Sequence, residues 1–407
     1  MAPRIVFGVA LLAGGVSCGQ GFHVGAPETV LSRDRLEEAG VGGIDASLYA
    51  LNDGGRWKWF CTSRWRHVYS LGPRDDPFAE VVCRTGQFEN LPDRYTDTRV
   101  GFARDRRWGN ITWIANVYRD PASGDILSFV HVEKAPKERG GVYFSLGLAI
   151  SKDGGKSFRW CGHIIRPELS YETWSKHWHR DNLREGFIYP NTGLANYILK
   201  DGWFYLYYTD TRDKPDVLVN GAAVARARVD KVMASAQDFT TVAWRKYHEG
   251  RWNEPGLGGR FTPLDIEPLG FLHGDAAYNR HLDRYVLVTR QYFYAGDDRK
   301  VFGSDWQHAE TGAVLISFSQ DGLDWSGWRT VHRDARAHDY PSIISMGDDN
   351  EVTGKSFWVY YKYFHETMLP DIDWHRHRWD RVRVTLDDPA PADPRQPKRQ
   401  PNKKDNH

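Results

Sequence analysis

Apolar and polar positions alternate along the chain in short runs, and each run is cut by a turn carrying Gly or Asp, the pattern of strands that bury one face. Five paired runs share one layout: a small or acidic residue, an alternating apolar segment, a turn, and a second strand rich in aromatic residues. The first begins at Asp45, turns at Asn52-Asp-Gly-Gly and continues from Trp57 to Ser63. The second runs from Gly109 to Tyr118, turns between Asp120 and Asp125, and returns through Ile126 to Glu133. The third opens at Thr192, turns at Lys200-Asp-Gly and returns from Trp203. The fourth opens at Gly274, with its second strand from Arg284; the fifth opens at Tyr340, with its second strand from Phe357. Successive copies lie roughly 65 to 85 residues apart, too far for a hairpin meander and suited to a four-stranded blade with its loops. The pattern predicts an all-β protein, a five-bladed β-propeller with four-stranded antiparallel blades over residues 40–387. A short helix near Val229 is the one helical interruption expected.

Composition adds an aromatic excess, with 17 Trp, 20 Tyr and 19 Phe. Such residues fit strands, and Trp also stacks on the apolar faces of sugar rings. The 54 Lys and Arg against 53 Asp and Glu leave a formal charge of +1, which argues against a nucleic-acid partner or an anionic membrane surface.

Residues 1–19 carry an early Arg, an apolar run from Ile5 to Val16 and small residues after it, the pattern of a signal peptide. The expected location is therefore secreted or periplasmic. A lipid anchor at Cys18 is disfavoured by Gly15 three positions before it, and no later stretch is long enough to span a membrane. Residues 388–407 are rich in Pro and basic residues and read as a disordered tail. The four cysteines include no Cys-x-x-Cys pair, so no zinc site is expected; a Cys61–Cys83 bridge and free thiols both remain open. The Gly-rich loop from Glu254 lacks the Lys-Ser or Lys-Thr ending of a phosphate-binding loop.

A propeller gathers the heads of its innermost strands around a central funnel. Asp45, Asn110 to Trp113, Tyr189 to Thr192, His273 to Asp275 and Asp339 to Tyr340 occupy those positions. Glycoside hydrolysis needs one carboxylic acid to protonate the leaving oxygen and one carboxylate to activate water or attack the anomeric carbon. Asp45 and Asp275 supply two carboxylates.

Asp45-Ala-Ser-Leu-Tyr with the following Gly-turn and aromatic strand resembles the first-blade Asp-Pro motif of five-bladed propeller glycosidases, notably glycoside hydrolase families 43 and 32. Asp275-Ala-Ala-Tyr resembles the fourth-blade Glu-Gly-Pro motif of family 43. The resemblance implies that Asp45 is the general base and Asp275 the general acid. Ala46 stands where the family has Pro, Asp275 where it has Glu, and Asn191-Thr-Gly where it has the Asp that tunes the acid. Arg119-Asp-Pro spells the family 32 triplet but falls in a hairpin turn, where Asp-Pro is ordinary turn chemistry. Ser151 to Phe158 resembles the Asp-box of sialidases, which gives Asp153, and by analogy Asp321, a structural role.

Glu133 is the third catalytic candidate. Alternation places it on one face with His131, an arrangement that suits a general acid and equally a surface ion pair with Lys134. Arg64, His67, Trp113 and the cluster from Trp174 to Arg180 fit a sugar-binding rim, and His131, Glu185, Asn191, His273 and Tyr340 complete the expected substrate contacts. His177 and His179 lack a third ligand, so no metal ligand set is expected. No cofactor is implied, with room left for one structural Ca²⁺ in the central channel.

The function implied is a secreted glycoside hydrolase acting on poly- or oligosaccharides. A sialidase-type hydrolase, a phosphorylase and a noncatalytic carbohydrate-binding propeller are the competing expectations. Oligomeric state leaves no trace in the sequence.

Overall fold

A computed structural model describes residues 20–63, 66–85, 88–91, 110–134, 143–173, 192–214, 217–266, 272–294, 300–301, 309–334, 338–364 and 377–389. The expected signal peptide and all but the first two residues of the expected tail lie outside them.

Five antiparallel sheets form the blades of a propeller, each beginning at the centre with the first strand of one sequence copy. Two strands, β1 (Phe22–Val24) and β2 (Glu28–Leu31), precede the first blade. Blade one is β3 (Tyr49–Asp53), β4 (Arg56–Ser63), β5 (Arg66–Leu71) and β6 (Glu80–Thr85). Blade two is β7 (Asn110–Arg119), β8 (Ile126–Lys134), β9 (Tyr143–Ser151) and β10 (Arg159–Ile165). Blade three has a fifth strand: β11 (Gly193–Lys200), β12 (Trp203–Lys214), β13 (Val217–Arg228), β14 (Arg245–His248) and β15 (Arg251–Pro255). Blade four is β16 (Gly274–Asn279), β17 (Arg284–Tyr294), β19 (Ala309–Ser319) and β20 (Arg329–Asp334), with the short β18 (Lys300–Val301) beside β17. Blade five is β21 (His338–Ser345), β23 (Ser356–Phe364) and β24 (His377–Leu386), while β22 (Val352–Thr353) crosses to pair in parallel with β16.

The turns follow from their residues. Gly54 and Gly55 have φ of 63° and 92°, and Asp201 and Gly202 have φ of 51° and 76°. Two successive positive φ values make the tight hairpin turn whose twist matches the flanking strands. Asp153 accepts from the backbone N–H groups of Lys156 and Ser157 at 2.9 and 3.0 Å, and Asp321 from those of Leu323 and Asp324 at 2.9 Å each. Both carboxylates hold turns, as expected for them.

The ring closes through strands the repeat pattern did not reveal. β1 and β2 both pair with β24, Phe22 opposite Leu386 and Glu28 opposite Arg381, so residues ahead of the first copy complete the last blade. One hydrophobic cluster fills each seam between adjacent blades. Trp59 and Trp379 fill the seam between blades five and one, and Trp244 the seam between blades two and three, all fully buried. Aromatic rings with large planar faces fill the wedges that twisted sheets leave between them. The expected helix, Val229–Gln237, buries Val232, Met233 and Ala236 in the seam between blades two and three. The described cysteines Cys61, Cys83 and Cys161 are free thiols, so the Cys61–Cys83 bridge does not form. Among the described residues no helix is long and apolar enough to cross a membrane.

Candidate active site

Three of the five inner strands carry a bulge near the head. Ala115 is the extra residue on β7, Leu194 and Ala195 oppose one partner residue on β11, and Tyr340 and Pro341 do so on β21. Leu194 and Tyr340 have φ of 57° and 50°, left-handed values that bulky residues adopt only when the surroundings enforce them. A bulge re-aims the side chains beside it, and at Tyr340 it brings the phenol against blade one.

There the Tyr340 hydroxyl donates to Asp45 Oδ1 at 2.9 Å. Beneath them lies the buried ammonium of Lys362, which donates to the Ile44 carbonyl at 2.6 Å and whose charge acts on both Asp45 and Asp339. Asp339 is 3% exposed. Its Oδ1 accepts from Arg290 Nε at 3.2 Å and lies 3.1 Å from His273 Nδ1, and its Oδ2 accepts from the Tyr292 hydroxyl at 3.1 Å. Burial alone would raise this carboxyl, but the Arg290 guanidinium and His273 outweigh it and hold Asp339 well below the usual carboxylate range. Burial, with Arg290 beside it, brings His273 down to about 4, so the imidazole is neutral at pH 7. A proton on Nδ1 facing Asp339 leaves Nε2 as an acceptor. The His273 ring stacks on Tyr340 with centroids 5.3 Å apart.

Blade two contributes His131 and Glu133. His131 Nε2 lies 3.3 Å from Glu133 Oε1, and His131 is close enough to His273 for its charge to disfavour protonation there. The face shared by the two residues is as alternation predicts, and Glu133 pairs with His131. Asp45, His273 and Asp339–Tyr340, drawn from blades one, four and five, thus form one chain of contacts, and the His131–Glu133 pair of blade two is coupled to it electrostatically through His273.

Asp275 lies apart from that chain, deeper along the axis. It is 6% exposed, accepts from the backbone N–H groups of Ile343 at 3.0 Å and Ala276 at 2.9 Å, and from Asn116 Nδ2 at 3.4 Å. Burial pushes its carboxyl up to about 7 in spite of these donors. Its charge is felt by Tyr49, Tyr197 and Glu351, and Glu351, bonded to the Tyr197 hydroxyl, is likewise pushed up by burial to about 7.

The rim expectation needs correction for two residues. Trp113 is 4% exposed with its ring 5.5 Å from His131, and His67 is 3% exposed and stacked on Phe88 at 4.1 Å. Both fill strand interiors, and burial brings His67 down to about 3. Arg64, Glu185, Asn191 and the cluster from Trp174 to Arg180 lie outside the described residues. The acid that the third copy lacks at its head is present one strand later. Asp210 accepts from Thr192 at 2.9 Å and pairs with Lys246 at 2.7 Å, both side chains being fully buried. Burial raises Asp210 although Lys246 opposes the shift, and the pair is sealed from any substrate.

Sequence reasoning passed over Arg290, Tyr292 and Lys362. A signal existed: Arg290 and Lys362 interrupt otherwise apolar or aromatic strands, where a charge survives only with a partner. A surface groove of about 680 Å³ on the outside of blades one and five is a different region. Its Trp57 and Trp358 rings are already covered by Arg74 at 4.3 Å and Arg381 at 4.0 Å.

No protein-family model and no curated protein matches the chain. Its fold is similar to that of the catalytic domain of the Coprinopsis cinerea GH62 α-L-arabinofuranosidase, at 10% identity and a TM-score of 0.42, over 90% of this chain and 97% of that one. It is similar to a family 117 glycoside hydrolase from the marine bacterium Zobellia galactanivorans, at 10% identity and a TM-score of 0.42, over 91% of each chain. It is also similar to an N-acetylgalactosamine deacetylase from F. plautii, at 12% identity and a TM-score of 0.40, over 84% of this chain and 88% of that one. The likeness is one of fold.

Proposed function

We propose that the protein is a glycoside hydrolase whose reaction takes place between Asp45, Glu133 and the His273–Asp339–Tyr340 group. The observation that carries this reading is the contact chain itself, in which carboxylates from blades one and five meet hydrogen-bond donors and a neutral imidazole at the heads of the inner strands, with the His131–Glu133 pair of blade two coupled to that imidazole. Asp45, oriented by the Tyr340 hydroxyl, is the carboxylate that activates water or attacks the anomeric carbon. Glu133, beside His131, is the acid that protonates the leaving oxygen. Asp339 is a positioning residue: ionised and buried, it orients His273 and Tyr292, while Nε2 of His273 accepts from a substrate hydroxyl. Asp275, with its oxygens held by backbone N–H groups, ties blades two, four and five together at the axis. The substrate is an oligo- or polysaccharide, and the apolar run at residues 5–16 fits an exported enzyme.

The test is a panel of aryl glycosides and natural oligosaccharides, with and without phosphate, run beside Asp45→Asn, Glu133→Gln and Asp275→Asn. Turnover of one substrate class should fall by about a hundredfold or more in Asp45→Asn and Glu133→Gln, the size of an acid–base contribution. Asp275→Asn should retain turnover. Retention on a glycan array without turnover of any substrate would sink the hydrolase reading in favour of a binding propeller.

A further inference from the structure

We propose that His332, Asp334 and His338 form a binding site for a divalent transition-metal ion of the zinc type at the junction of blades four and five. His332 and Asp334 sit two apart on β20, so they share a face. Val331, the extra residue of a bulge on β20, stands immediately before His332 and re-aims it. His338 opens β21 on the other side of the junction. His332 Nε2 lies 3.5 Å from Asp334 Oδ2, and His338 Nε2 lies 3.6 Å from Asp334 Oδ1. The three ligand atoms fall within 4.8 Å of one another.

These separations are long for hydrogen bonds and close to the edge of a metal shell. Ligands about 2.0–2.1 Å from a tetrahedral ion are about 3.3–3.4 Å apart, so each His–Asp separation is within a few tenths of an ångström of that value, and side-chain rotation closes the widest separation, at most 4.8 Å. Two imidazoles and one carboxylate select a transition ion over Ca²⁺ or Mg²⁺, which prefer oxygen throughout. The ligands are also braced. His332 stacks on Tyr361 at 5.6 Å, and His338 packs edge-on against Tyr361 and Tyr363 at 5.2 Å each. Arg378 on β24, which lies over the Tyr363 ring, is bound by Asp380 at 2.8 Å, so its positive charge is offset.

His338 is buried, while His332 and Asp334 keep side-chain exposures of 20% and 34%. Three protein ligands on a partly open face leave room for water or a ligand in the remaining position, the arrangement of reactive rather than closed structural sites. The ion would tie the outer strand of blade four to the inner strand of blade five, one residue before Asp339. The proposal does not depend on the glycosidase reading.

The full chain is stripped with a chelator and titrated with Zn²⁺ against a chromophoric competitor, and separately with Co²⁺ while its ligand-field spectrum is recorded. One ion per chain is expected, with a nitrogen- and oxygen-type Co²⁺ spectrum free of sulfur charge-transfer bands. His332→Ala and Asp334→Asn, both at partly exposed positions that keep the fold, should each weaken binding about tenfold or more. Cys83→Ser should leave it unchanged, and added Zn²⁺ should raise the Tm of the parent but not of His332→Ala. Absence of stoichiometric binding, or a titration that His332→Ala and Asp334→Asn leave unaltered, overturns the assignment.

Discussion

Asp339 and Asp275 sit near the centre of the same propeller, on adjacent blades, with exposures of 3% and 6%. Their carboxyls are nevertheless shifted in opposite directions. Asp339 is held well below the usual carboxylate range, whereas Asp275 is pushed up to about 7. Burial acts on both in the same direction, and both accept backbone hydrogen bonds. What differs is the guanidinium of Arg290 at 3.2 Å from Asp339, with His273 beside it. Dipoles from backbone N–H groups and an Asn amide do not replace that charge. One end of the axis is therefore built around ionised groups that can act on a substrate, and the interior around acids that bind protons more tightly than usual and join blades.

The sharpest way to break the comparison is to remove the cation. Arg290→Met leaves Asp339 buried beside His273 without its main counter-charge, and a broken buried pair costs about 3–5 kcal/mol. Urea unfolding at pH 7 should show that loss, and Arg290→Met combined with Asp339→Asn should recover part of it. A double variant no more stable than the single one would mean that Arg290 is not what keeps Asp339 charged.

The second test concerns the interior acid. An acid whose folded value is raised binds its proton more tightly in the folded protein, so stability falls as pH rises from about 4 to about 7 and is level above that. Asp275→Asn cannot titrate. Relative to the parent, the variant should gain about 4 kcal/mol between pH 4 and pH 8, read from urea unfolding at the two values. Glu351 titrates over a similar window and feels the Asp275 charge, so in the variant it is raised less and its change adds to the difference in the same direction. A difference that stays flat across this window would show Asp275 ionised in the folded protein.

The ring of five blades was legible because period-two alternation and turn residues are local signals, and each inner strand falls on the head of a repeat. Closure was not, since β1 and β2 are short and lie outside the repeat; pairing with β24 is a long-range event that no local pattern encodes. The site was legible in part. Asp45, His131, Glu133, His273 and Tyr340 stand at strand heads or on a shared strand face, and alternation finds such positions. Arg290 and Lys362 sit mid-strand, where function depends on which neighbouring strand lies opposite. The depth of Asp275 was hidden for the same reason: its motif marks a strand head, while its partners Asn116 and Ile343 belong to other blades.

The smallest expected effects separate the two regions most cleanly, because one chemical change can be made in each. Tyr340 donates to Asp45 at the ionised end, and the Tyr197 hydroxyl bridges the Glu351 carboxyl and the Val117 carbonyl in the interior. Replacing either by Phe removes one phenol and keeps the ring. In the interior, Tyr197→Phe leaves the Val117 carbonyl and the Glu351 carboxyl without the hydroxyl that bridges them, which costs about 1–2 kcal/mol, and Glu351 should titrate still higher because the phenol holds it down. Turnover should stay within about twofold, since hydrogen bonds that serve only packing are not realised at the reacting atoms. At the other end, Tyr340→Phe should change stability by no more than about 1 kcal/mol, the net worth of an ordinary hydrogen bond. Its kcat should nevertheless fall about tenfold or more, because Asp45 loses the group that orients it. Paired urea unfolding and steady-state kinetics on the two variants read both axes. If Tyr340→Phe loses stability and keeps its kcat, Tyr340 is a packing residue and the division between a reactive end and a structural interior fails at that point.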